Sequence, residues 1–146
     1  MKENLNIFKN FDKNKIKYIV WKNTNLINDF FEGRENLDLL IDFNQKKITE
    51  KLLLENAWVE VISNVKNHRN IKHYLFFNHK KTFHLHIYFQ LRTGNTLLKE
   101  YDLSQIHNFL EKRNYNINYN LWILDYNYQF ALFKIRLLIK NSNLLG

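Results

Sequence analysis

An α/β (α+β) domain, a mixed β-sheet flanked by helices, is the fold class that three stretches of this sequence predict. From Phe83 to Leu91, apolar residues (Phe83, Leu85, Ile87, Phe89, Leu91) alternate strictly with His84, His86, Tyr88 and Gln90, the signature of a strand with one buried and one polar face. From Lys15 to Gly33, a strand apolar on both faces passes through a polar turn into a helix. From Asn36 to Phe43 a second alternating run follows. Strand and helix periods therefore interleave along the chain, as they do in α/β architectures.

Taken in order, Leu5, Phe8 and Phe11 recur every third position and predict a short amphipathic helix. Lys15 to Trp21 reads as a central strand, because Tyr18 and Val20 face one way and Ile19 and Trp21 the other. Asn23 or Thr24 can cap a helix carrying Leu26, Ile27, Phe30 and Phe31, which ends near Glu32 at Gly33. In the next strand Leu37, Leu39, Ile41 and Phe43 point to the core, while Asn36, Asp38 and Asp42 point away from it. Asp42 reads as a strand-end or cap residue. A helix over Gln45 to Asn56 is expected, then strands over Trp58 to Ser63 and Ile71 to Asn78 joined by a polar turn. With no proline and three glycines, punctuation is sparse, so Gly33 and Gly94 are read as tight turns. Asp102, with Gln105 three residues on, predicts a capped helix bearing Leu103, Ile106, Phe109 and Leu110. The long loop is expected at Asn114 to Asn120, and a last helix at about Tyr126 to Lys140.

The 146 residues form one domain, 1–146, with its C-terminal helices from about residue 102. Hydrophobic residues at 45% and aromatics at 16% exclude a disordered chain. The absence of cysteine excludes disulfides and thiolate metal centres, leaving carboxylate, imidazole and amide groups as the available metal ligands. The start of the chain is too polar for a signal peptide, and the most apolar stretch, Phe130 to Ile139, is about half a membrane span and carries Lys134 and Arg136. A cytoplasmic protein without a membrane span is expected. A formal charge of +8 favours phosphate-bearing partners, nucleic acid among them, although the lysines are spread among many asparagines rather than clustered.

If the Asn36 and His84 strands are neighbours with their polar rows on one face, Asn36, Asp38, His84 and His86 converge. Carboxylate, amide and imidazole on rigid strands can hold a divalent metal. The turn Lys22-Asn23-Thr24 before a helix offers backbone N–H groups and an ammonium for phosphate oxygens. Arg136 and Lys140, four apart, share a helix stripe. A His-x-His transition-metal site completed by Asp38 is a further reading of the same residues. His68, His73, His79 and His107 are scattered and carry no assignment.

The run YIVWKNTNLINDFFEGRENLDLLID (Tyr18 to Asp42) resembles the start of bacterial nucleotidyltransferase-fold proteins, in which a strand, a Lys-Gly or Lys-Ser turn and a helix precede a strand bearing Asp-x-Asp. FHLHIYFQLRTG (Phe83 to Gly94) is similar to their later strand. The resemblance implies a nucleotidyltransferase-like sheet and transfer of a nucleoside monophosphate from a Mg²⁺-bound nucleoside triphosphate to a hydroxyl or similar acceptor. It places Asp38, His84 and His86 in catalytic positions and Asn36 and Asp38 at the metal. Lys22, Asn23, Thr24, Arg136 and Lys140 fall to the nucleotide phosphates, and Lys99, with Tyr101 and Leu103, to a further basic position. Relatives of this kind are often linked to surface polysaccharide assembly or small-molecule modification. Two of the three metal carboxylates of such proteins are replaced here, by Asn36 and His84. The same resemblance therefore also implies an alternative, a catalytically degenerate module that binds a nucleotide, RNA or a protein partner.

Overall fold

Ile7, Phe8 and Phe11 lie on one side of α1 (Asn6–Lys13) and are buried together, which is what turns a short polar helix into part of a core. The computed structural model describes residues 5–62, 64, 68, 70–94, 99, 101–104 and 108–142. After α1 come β1 (Tyr18–Val20), a 3-10 turn (Thr24–Leu26), α2 (Ile27–Phe31) and β2 (Asn36–Ile41). A second 3-10 turn (Phe43–Gln45) opens α3 (Lys46–Glu55), followed by β3 (Val59–Val61), β4 (Ile71–Asn78) and β5 (Lys81–Tyr88). Two short strands, β6 (Arg92–Thr93) and β7 (Tyr101–Asp102), pair apart from the main sheet. A 3-10 turn at Phe109–Glu111 leads to β8 (Arg113–Asn116), β9 (Leu121–Leu124) and α4 (Tyr126–Ser142).

The seven-stranded sheet has the order β3-β4-β5-β2-β1-β9-β8 and is mixed. β2 runs parallel to β5 and antiparallel to β1, and β1 runs parallel to β9. The outer pairs β3–β4, β4–β5 and β8–β9 are antiparallel. As the double-faced apolar pattern predicts, β1 is central and buried on both sides.

Alternation divides the side chains between two layers. Tyr18, Val20, Leu37, Leu39, Leu85 and Ile87 face α1, α2 and α3 and form the larger core. Ile19, Trp21, Leu40 and Tyr88 face the opposite way, where Leu132 of α4, Phe109 and Leu103 cover them. The second cover stops short of the β4–β5 side of the sheet, and there the face turns polar: His73, His84 and Asn36 are half-buried. The candidate site lies at this border.

Three local expectations are corrected. Neither Asn23 nor Thr24 caps α2 with its side chain; Asn23 takes a left-handed conformation (φ 55°) and turns to Asp38, while the Thr24 hydroxyl donates to Gln129 Oε1 at 2.8 Å. No helix starts at Asp102. Its carboxylate accepts the Ser104 N–H at 2.9 Å, the same local bond that a helix cap makes, but it closes β7 instead; residues 105–107 lie outside the described ones. C-terminal helices from about residue 102 thus reduce to α4 alone among the described residues. Finally, the loop expected at Asn114 to Asn120 is a turn over 117–120 only; its first three residues belong to β8, a polar edge strand that needs only backbone pairing to form. Asp42, by contrast, does cap a turn, accepting the Asn44 N–H at 2.9 Å.

Candidate functional site

Register brings the polar rows together. Asn36 stands opposite His84, and Asp38 opposite His86, on the parallel strands β2 and β5. β1 runs antiparallel beside them, and Trp21 N–H donates to the Asp38 carbonyl at 3.2 Å, so the next residue, Lys22, arrives over the Asp38 side chain.

Asp38 is 1% exposed, and everything around it compensates its charge. Lys22 Nζ and His86 Nδ1 each lie 3.0 Å from Oδ1, and the Asn23 side-chain amide donates to Oδ2 at 3.2 Å. Lys22 and His86 approach Oδ1 without good hydrogen-bond alignment, so the charge of Lys22 rather than directed bonding compensates that oxygen. The Lys22 ammonium also donates to the Tyr88 hydroxyl at 3.2 Å and lies 5.0 Å and 5.2 Å from the ring centroids of Trp21 and Tyr88. It is a caged cation.

Burial and charge compete at these groups. For Asp38, burial raises the carboxyl pKa, but His86 and Lys22 together outweigh it and the net shift is downward. Lys22 is lowered, first by burial and further by Arg136 and Lys140, with Asp38 opposing. His86 is lowered by burial, against the pull of Asp38, and is neutral near pH 7. Burial pushes the Tyr88 hydroxyl up. Lys99 is lowered by burial and then by Lys22, Arg136 and Lys140. Four basic groups thus share one field.

His73, on β4, belongs to this face although the sequence pattern assigned it nothing. It sits opposite His86 in register, its ring stacks on that of His86 at 4.1 Å, and its Nδ1 is 2.9 Å from His84 Nε2. Burial, then the charges of His86 and His84, pushes it down to about 4. Tyr88, Trp21 and Gln129 also enter the site without having been assigned a role. Only strand register could reveal His73, since β4 mixes apolar and polar residues on both faces.

Beside the caged lysine a cavity of about 260 Å³ opens between the turn after β1 and α4. Trp21, Lys22, Asn23, Thr24, Gln129 and Arg136 line it, with Tyr126, Phe130 and Phe133 on the helix side. The Arg136 guanidinium lies 5.5 Å from the Trp21 ring centroid. Lys140, one turn further along α4, is exposed and acts on Lys22 by charge alone among the described contacts. The expected phosphate residues Lys22, Asn23, Thr24 and Arg136 therefore meet at one cavity, and Lys140 stands outside it.

The donor set does not suit Mg²⁺. A hard, hydrated divalent cation requires several oxygen donors, and among the described residues this face offers one carboxylate, whose buried oxygen already has an ammonium at 3.0 Å. Nor do His84, His86 and Asp38 make a transition-metal centre: among the described residues no group of three or more His, Cys, Asp or Glu side chains is placed to hold a metal ion. His84 is turned to His73, and His86 to Asp38.

Among the described residues no helix is long and apolar enough to cross a membrane. Set against known proteins, the chain matches no family model, no curated protein and no solved structure.

Proposed function

We propose that this chain is a degenerate nucleotidyltransferase-like module that binds a nucleotide through its phosphates without a metal ion. The observation that carries the reading is the Lys22–Asp38 pair: an ammonium compensated by one buried carboxylate belongs to the lining of a cavity that Arg136 also lines. Ammonium, guanidinium and the Asn23 and Thr24 groups are donors to phosphate oxygens, and two cations in a partly dry cavity hold an anion more tightly than they would in water. The resemblance of Tyr18 to Asp42 and of Phe83 to Gly94 to nucleotidyltransferases supports a nucleotide as the anion. The pairing of β2 with β5, which puts Asp38 next to His86, is consistent with that reading. Mg²⁺-dependent nucleotidyl transfer to an acceptor finds no comparable support, because its metal ligands are replaced.

Titration calorimetry with each nucleoside triphosphate, in EDTA and then in excess Mg²⁺, tests the reading. The expected result is binding in EDTA that changes by less than about threefold with Mg²⁺, and that weakens about tenfold in Arg136→Gln, the loss of one charge-assisted contact. Binding that appears only with Mg²⁺ and vanishes in Asp38→Ala would return the chain to the transferases.

A further inference from the structure

We infer that the outer face of α4 is a docking seam for an amphipathic helix carrying carboxylates beside its apolar stripe. The inner face of α4 is already used, since Leu132 is buried and Tyr128 and Ile135 pack on the same core. On the side away from that core Tyr126, Phe130, Phe133 and Leu137 are between 42 and 76% exposed, the first three also forming the helix wall of the cavity beside Lys22. Their spacing of four, three and four residues places them in one line along the helix, the pattern of a coiled-coil seam. No described element buries this second apolar stripe.

Charge selects the occupant. α4 holds Lys134, Arg136 and Lys140 and no acidic residue. Helical geometry puts Lys134 on one flank of the stripe and Arg136 with Lys140 on the other; Lys134 Nζ lies 4.5 Å from the Phe130 ring centroid. A second copy of the chain would set this basic helix against its own like charges, in a molecule of formal charge +8. A lipid surface asks for a wider apolar face: the four stripe residues subtend roughly 60° of the helix, against 100° or more for a face laid on a broad apolar surface. Leu138, 71% exposed, stands apart from the stripe, beyond Lys134. A helix with Leu-like residues at seam positions and Glu or Asp on its flanks meets both the stripe and its cations.

The test uses the full chain and a designed, labelled helix of about 20 residues, with Leu at the seam and Glu at the flanks, read by fluorescence anisotropy. Its counterpart with Lys at the flanks, vesicles of anionic phospholipid, and sedimentation of the chain alone complete the experiment. Binding of the Glu peptide at least about tenfold tighter than the Lys peptide, and weakened at least about fivefold in Leu137→Ser with an unchanged melting temperature, is the expected result. Of the four stripe residues only Leu137 does not line the cavity, so nucleotide binding by the chain alone is expected to survive that change, and loss of the peptide there is read apart from loss of the nucleotide. Equal binding of the two peptides, no peptide binding, association with vesicles alone, or a dimer of the chain that Leu137→Ser dissociates would each overturn the inference.

Discussion

Asp38 is the residue whose environment governs the site, because a carboxylate at 1% exposure must have its charge answered locally. Removing it leaves the largely buried Lys22 ammonium without its partner. Asp38→Asn is therefore expected to lower stability by about 3 kcal/mol in urea titrations, whereas Asp38→Leu combined with Lys22→Met should lose much less, since no charge is then stranded. The histidines make an acid-side prediction. His73 is held at about 4 against an ordinary 6.5, and His84 and His86 are also lowered, so between those values the unfolded chain binds protons that the folded one does not. Stability should fall as pH drops from about 6.5 to about 4, and His73→Gln should flatten that slope by roughly 1 to 2 kcal/mol once its half exposure is discounted. Asp38 adds to the loss only below that window, as pH falls through its depressed value. The alternation around residues 38 and 85 made Asn36, Asp38, His84 and His86 legible from sequence. His73 was not, because nothing in Ile71 to Asn78 tells which residue will face which strand until β4 is set against β5.

At the scale of elements, the turn after α2 shows why a glycine is required. Gly33 has φ +73°, and a Cβ there would meet Lys81 Cβ at 3.1 Å and the Thr82 carbonyl oxygen at 3.2 Å, on the strand that carries His84. Gly33→Ala combines left-handed backbone with a close approach to β5 and is expected to cost about 1 to 2 kcal/mol, read as a drop in melting temperature. Of the elements, α1, β2 and β5 follow from apolar spacing to within a few residues, and α3 and α4 also fall within a few residues of their expected bounds. Those that went astray did so for local reasons. The Asp102–Ser104 bond satisfies a backbone N–H as a helix cap does, so the residue signal is the same while here it ends a short strand. The β8–β9 hairpin hides in asparagines, because an edge strand forms by pairing and shows no apolar alternation of its own.

Across the whole molecule, the sheet order is what produces a site. With β2 between β5 and β1, three separate sequence regions deliver Lys22, Asp38 and His86 to one point, and α4 adds Arg136 from above. No single motif contains this assembly; the pairing of β2 with β5 had to be supposed from sequence, and the fold places them side by side. The excess of positive charge acts at this same scale. Lys22, Lys99, Arg136 and Lys140 repel one another, and an anion relieves that repulsion, so binding of a phosphate-bearing ligand should weaken several-fold between about 50 and 500 mM salt.

Lys22 Nζ lies 3.0 Å from Asp38 Oδ1, so a metal ion on that carboxylate would have to displace the ammonium. Titrating Mn²⁺ into the protein and following the free ion by electron paramagnetic resonance tests it without any nucleotide. The expected result is a Mn²⁺ signal undiminished by an equal concentration of the chain. One ion bound per chain, released on Asp38→Asn, would contradict it.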